Sequence, residues 1–235
     1  SQAVYSADGV VVVNDKTVTY SYDGNGNSLA MTTRINNAVA DIRLYQYGNE
    51  NRLLRVTDGG GTSLVEYAYD AAGNTIQETT AARTRFFSYD ERNLLASVVD
   101  GTNHVVYAYN GDAQRVAKTV NGQATTFVVD ANRDVFETVQ ERDGSGAASA
   151  SYTFGGRRVA AWPGGTAAFD LADGLGSVRR LTTTGGTVAG ARSYDAFGAA
   201  TSLAGTMGSF GFEGERLDPE TGLVFLRARL FDPGP

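Results

Sequence analysis

The sequence predicts an all-β protein: a meandering strip of antiparallel hairpins. Three observations carry this reading. A short unit of aromatic, small or polar residue, aromatic, then Asp, Asn or Gly recurs along the chain. Turn signals separate the copies, and helical periodicity is weak throughout.

Taken in order, the unit reads Tyr20-Ser21-Tyr22-Asp23-Gly24, then Tyr45-Gln46-Tyr47-Gly48-Asn49. It returns as Tyr67-Ala68-Tyr69-Asp70, Phe87-Ser88-Tyr89-Asp90 and Tyr107-Ala108-Tyr109-Asn110. Looser copies are Phe127-Val128-Val129-Asp130, Tyr152-Thr153-Phe154-Gly155, Ser193-Tyr194-Asp195 and Phe210-Gly211-Phe212-Glu213. A spacing of about 20 residues fits two strands of ~5–7 residues and two short turns. Strand side chains alternate, so both rings of Tyr-x-Tyr share one face and a light residue marks the other. Stacked copies then form an aromatic ladder, each cross-strand pair contributing roughly 0.2–1 kcal/mol. Asp, Asn and Gly supply the turns because they tolerate left-handed backbone. Val116–Val120 and Gln123–Val129 around Asn121-Gly122 give a strong hairpin signal. Asp58–Gly61, Asp100–Asn103 and Gly185-Gly186 mark further turns. The linker-like stretch Asp143–Ala148 places a soft boundary near 150, dividing a repeat strip (1–150) from a distinct C-terminal segment (151–235).

Composition excludes several chemistries. With no Cys there is no disulfide framework, thiolate nucleophile or zinc finger, and the single His104 leaves no multi-His metal site. A formal charge of −6 disfavours nucleic-acid binding. No apolar run approaches the ~18–20 residues of a membrane span. Lys16 and Lys118 are the only lysines among 20 basic residues. The arginine bias suits bidentate pairing and stacking on rings within a β structure. No motif calls for a cofactor. A chain opening on Ser1 reads as a processed or excised piece.

The repeat resembles that of the Tyr-Asp (YD) repeat family, which includes bacterial RHS proteins and, more distantly, the teneurins. The C-terminal third carries the resemblance furthest. Asp173-Gly174-Leu175-Gly176-Ser177-Val178-Arg179 is similar to the D-x-L-G-S-V-R element of the RHS core, and Tyr194-Asp195-Ala196-Phe197-Gly198 to Y-D-x-F-G. Phe210–Leu223 matches F-x-F-x-G-x-x-x-D-x-E-T-G-L, placing Gly214, Asp218, Glu220 and Gly222 at signature positions. Arg227-Ala228-Arg229-Leu230-Phe231-Asp232-Pro233 is similar to R-A-R-Y-Y-D-P, with Leu230 and Phe231 in place of tyrosines.

The resemblance implies a β strip spiralling into a hollow shell with a core-associated cap. It also implies a secreted or cell-surface setting and a polypeptide cargo or neighbouring repeats as partners. In many members an aspartyl self-cleaving segment precedes a C-terminal toxin. The paired D-P-x-G-L elements of that segment do not occur before Pro235, so self-cleavage is not carried onto Asp218 or Asp232. The expected function is a non-catalytic shell or scaffold segment. Two alternatives are a cell-surface adhesion or glycan/protein-binding module, and the remnant of a self-cleaving protein without its aspartyl elements. A strip this short is also expected to complete itself by oligomerising through its edges.

Individual candidates weigh as follows. Asp23, Asp70, Asp90, Asp130 and Asp195 sit at turn positions, which favours turn formation over acid–base work. Arg216, Arg227 and Arg229 stand near Asp218, Glu220 and Asp232 in sequence. They read as an ion-pair network sealing the end of the strip, with Arg227 and Arg229 on one strand face and Ala228 on the other. Asp23-Gly24-Asn25-Gly26-Asn27 is the first half of a calcium loop without its sixth-position glycine or bidentate Glu. Gly174-x-Gly176 lacks the following helix of a phosphate cradle. Trp162, in a turn context, is the candidate partner or glycan contact.

Overall fold

Most hairpin turns of the repeat are built on an Asp or Asn that folds back on its own backbone; the turn after Thr75–Thr80 uses Thr80 instead. In the computed structural model, Oδ1 of Asp23 accepts the N–H groups of Asn25 and Asn27, both at 2.9 Å. Asp58, Asp90, Asn110, Asp143, Asp173 and Asp195 repeat this with the residues two and four positions on. The fourth turn residue is left-handed: Gly26, Gly73 and Gly198 in three turns, but Asn93 and Ala113 in two others. The ladder shifts register beside these turns, between Ser21 and Tyr22, Ala68 and Tyr69, Ala108 and Tyr109, and Ser193 and Tyr194. The second aromatic of the unit therefore stands at the bulge. Its hydroxyl donates to the first carbonyl of the preceding strand: Tyr69 to Leu53 at 2.6 Å, Tyr109 to Leu95 at 3.0 Å, Tyr194 to Val178 at 3.3 Å.

The structure describes residues 2–5, 11–14, 16–133, 135–227 and 229–234. Two units divide the chain, Ser1–Phe86 and Phe87–Pro235. In the first, Gln2–Tyr5 pairs with Val11–Asn14. Lys16–Tyr22, Ser28–Ile35, Ala38–Tyr47, Leu53–Asp58, Ser63–Tyr69 and Thr75–Thr80 then pair antiparallel in sequence order, and Thr75–Thr80 continues to Thr84–Tyr89. The second unit runs on the same way from Leu95–Asp100 to Ala200–Gly205. It then adds a separate three-stranded sheet of Arg216–Asp218, Leu223–Leu226 and Arg229–Phe231. The all-β antiparallel class is therefore the one observed. Residues 143–147 form a tight hairpin turn joining Glu137–Arg142 to Ala148–Phe154. The Gly/Ser richness of that stretch is turn chemistry, since Asp143 ties the N–H groups of Ser145 and Ala147. Among the described residues no helix is long and apolar enough to cross a membrane.

Rings and guanidiniums interleave on the aromatic face. In the first unit Arg52 lies 5.8 Å from the Tyr69 ring, and the buried Arg85 pairs with the buried Glu78 opposite it. In the second unit Arg115 lies over Tyr107, Phe127 and Phe225 at 5.3, 5.3 and 3.9 Å. The core there gathers Leu95, Val98, Val105 and Tyr107 from the strip with Leu223 from the C-terminal sheet.

Candidate functional site

The residues that break the repeat pattern converge in the second unit, where the C-terminal segment from about 206 onward lies on the aromatic face of the strip. Glycines permit the approach. A Cβ on Gly190 would stand 2.1 Å from the carbonyl oxygen of Thr206, and one on Gly198 would stand 2.6 Å from the Phe212 ring. Gly176 and Gly214 pass backbone to backbone, and the Ser177 hydroxyl accepts the N–H of Glu213 at 2.9 Å. Phe210 packs edge-on against Tyr152 at 4.9 Å, and Phe212 lies 5.7 Å from Tyr194.

Charges then fix the register. Asp218 is 0% exposed and receives Nη1 of Arg115 at 2.6 Å and Nζ of Lys118 at 3.1 Å. Glu220 accepts a second bond from Lys118 at 2.9 Å. Arg216 pairs with Glu141 at 2.7 Å inside a cage of Phe127, Tyr152 and Phe210. Arg227 bridges Glu137 and Glu215. Two bases on Arg115–Val120 thus hold two acids, and two acids on Glu137–Arg142 hold two arginines. Burial works against the charge of Asp218, but Arg115 and Lys118 outweigh it and hold the carboxyl below its usual range. Burial also pushes the hydroxyls of Tyr107 and Tyr152 upward, and that of Tyr109 to about 12.

Beside this network opens a cleft of about 140 Å³, lined in part by Arg158, Asp170, Gly176, Glu215 and Arg227. Burial raises the carboxyls of Asp170 and Glu215 despite the opposing Arg158 and Arg227. Raised carboxyls in a cleft have the character of general acids. Each here is nevertheless gripped by an arginine, Asp170 by Arg158 at 2.7 Å, an arrangement that holds segments together.

Several sequence expectations change in detail. Apart from Arg227 with Glu215, the signature carboxylates and arginines do not pair within their own segment; their other partners are Arg115, Lys118, Glu137 and Glu141, about 75–105 positions upstream. The segment packs on the aromatic face of the strip. Arg227 is not a strand residue: its φ of 60° places it in the turn between Leu223–Leu226 and Arg229–Phe231. Ala228 lies outside the described residues. Arg229 opens its strand exposed, and Oδ1 of Asp232 accepts the N–H of Gly234. Asp173 and Asp195 form turns, Arg179 lies 3.8 Å from Asp173 and 5.5 Å from the Tyr194 ring, and Gly222 closes the turn begun by Asp218. Asp23 spends its oxygens on Asn25 and Asn27 within its own loop. His104 is an exposed strand residue. Trp162 precedes the Pro163–Gly165 turn, half-exposed, with its Nε1 donating to Thr153 Oγ1 at 3.3 Å.

Missed by sequence reasoning were Arg115, Lys118, Glu137 and Glu141, while Ser177 was visible only as a signature position without its role. A signal existed for one of them. Lys118, one of two lysines, is placed opposite Tyr107 by the hairpin whose turn begins at Asn110, so its charge faces the rings.

This architecture matches the family model of the teneurin YD-shell over residues 3–234, and the chain belongs to that family. It is 27% identical over 224 residues to the tRNA3(Ser)-specific nuclease WapA of Bacillus spizizenii, and likewise to the tRNA nuclease WapA of Bacillus subtilis strain 168. The match covers 92% of this chain but only 9% of those relatives. Similar solved structures include a TcdB2-TccC3-Cdc42 complex (15% identity, 97% of this chain, 16% of that chain, TM-score 0.47). Another is the Photorhabdus luminescens Tc holotoxin pore with a TccC3 mutation (14% identity, 99% of this chain, 17% of that chain, TM-score 0.47).

Proposed function

We propose that this chain is a non-catalytic structural segment of a secreted or cell-surface shell that encloses a polypeptide cargo. The observation that carries the reading is the use of the signature charges. Asp218, Glu220, Arg216 and Arg227 are all committed to holding the C-terminal segment on the aromatic face. Asp218, kept ionised and enclosed, has no proton to donate at neutral pH and no path to a substrate. The nuclease named in the relatives belongs to proteins of which this chain spans 9%, and the shell reading assigns that activity to other parts of them.

The test is twofold. The purified chain, incubated with tRNA, should leave it intact. A polypeptide encoded downstream in the longer protein should resist protease while the shell is intact and become sensitive when residues 206–234 are deleted. Cleavage of tRNA by this chain that disappears in Asp218→Asn, or a cargo equally digested with and without the segment, would overturn the reading.

A further inference from the structure

The cleft beside the docked segment holds a carboxylate that its own surroundings leave under-bonded. Asp170, on the strand Ala168–Ala172, has its side chain 2% exposed and lines this cavity of about 140 Å³. Arg158 Nη2 stands 2.7 Å from Oδ2, but neither carboxylate oxygen accepts a hydrogen bond. The Arg158 guanidinium is stacked on the Phe210 ring at 3.9 Å, which fixes its plane and leaves that single close approach. A buried carboxylate without donors is costly. Burial already works against the charge of both Asp170 and Glu215.

The rest of the lining is short of positive charge. Arg227 is one cation shared by two carboxylates, Glu137 and Glu215. Glu213 adds a fourth carboxylate, exposed and without an ion-pair partner among the described residues. Its φ of 53° is left-handed, a strained conformation for an L-residue, and its N–H is held by Ser177 Oγ. Arg157, also exposed, is the remaining base of the lining. Phe154, Ala172 and Val178 supply an apolar wall. The cavity has room for a group of several heavy atoms rather than a single water. Among the described residues no three acidic groups close as metal ligands. An anion would meet carboxylates, and a neutral group would leave the excess charge in place. A cation on a carbon stem answers each feature: its N–H donors meet the carboxylates while the stem lies along the apolar wall. We propose that this cleft binds one alkylguanidinium or alkylammonium group, with Asp170 at its base and Glu213 at its rim.

Gly156, Gly176 and Gly214 line the cleft, so their backbone amides report on it in nitrogen-edited NMR spectra. Ethylguanidinium is titrated into the intact chain, with ethylurea as the neutral isostere. The expected result is a saturable shift of these amides with ethylguanidinium and none with ethylurea. Asp170→Asn should weaken the binding about tenfold, the size of one lost hydrogen bond to a charged group. Glu213→Gln, exposed and outside the docking pairs, should weaken it about two- to fivefold, and Arg157→Gln should tighten it. Should Asp170→Asn misfold because Arg158 loses its anion, the other two variants decide. A second arm separates the sources of such a cation, using a capped pentapeptide with arginine at its centre. Binding tighter than that of ethylguanidinium assigns the site to a basic side chain of a polypeptide, which under the shell reading is the cargo. Binding no tighter assigns it to a free small cation. Either result supports the cation site, which stands even if the shell reading fails. No saturation by about 100 mM ethylguanidinium overturns the proposal. Equal shifts with ethylurea, or affinities unmoved in the variants, overturn it too.

Discussion

Ala113 adopts φ 60°, the conformation that sister turns give to glycine. Left-handed backbone costs an L-residue roughly 1–2 kcal/mol, so Ala113→Gly should stabilise the protein by about 1 kcal/mol in urea unfolding. Gly198→Ala should do the reverse and more. Its φ is 91°, and the new Cβ would stand 2.6 Å from the Phe212 ring, so a loss of about 2 kcal/mol or more is expected from strain and displaced packing. Asp218→Ala leaves Arg115 and Lys118 buried without their shared anion and should cost about 3–5 kcal/mol. The sequence made Gly198 and Asp218 visible as signature positions. It could not show why they matter, because their partners Phe212, Arg115 and Lys118 are set by tertiary register rather than by neighbours in the chain.

Among the elements, the turns were the most legible, since an Asp three residues before a Gly is local chemistry. Hydrogen bonds to their own loops hold the carboxyls of Asp23, Asp58, Asp70, Asp90 and Asp143 below the ordinary aspartate value. A lowered folded-state value means stabilisation that is present above pH 3.8 and lost as pH falls through the folded values. Asp218 has the same sign. Glu215 and Asp170 have the opposite sign: their raised values give a contribution present at low pH and lost as pH rises through the folded values. The urea midpoint should therefore fall steeply below pH 4. A variant with Asn at the five turn positions, which keeps the acceptor and removes the titration, should lose less over the same range. The strands were legible as Tyr-x-Tyr units. Their hydroxyl ties to Leu53, Leu95 and Val178 were not, because they depend on a bulge that places each ring at the start of the neighbouring strand.

For the molecule as a whole, the repeat and the C-terminal signature were enough to place the chain in its family. How the two parts meet was not readable. Arg216, Asp218 and Arg227 are close to one another in sequence, so local spacing pointed to mutual pairing. The fold instead lays their segment over the rings of strands some hundred positions earlier, where isolated charges on the aromatic face await them. That docking is the central claim, and a double-mutant cycle on Glu141 and Arg216 tests it most directly. These residues are 75 positions apart in sequence and 2.7 Å apart in space. Glu141→Gln, Arg216→Gln and the double variant are unfolded in urea at pH 7. Direct pairing predicts an interaction energy of about 1–3 kcal/mol between the two positions. Single-variant losses that simply add, within about 0.5 kcal/mol, would contradict the docked arrangement.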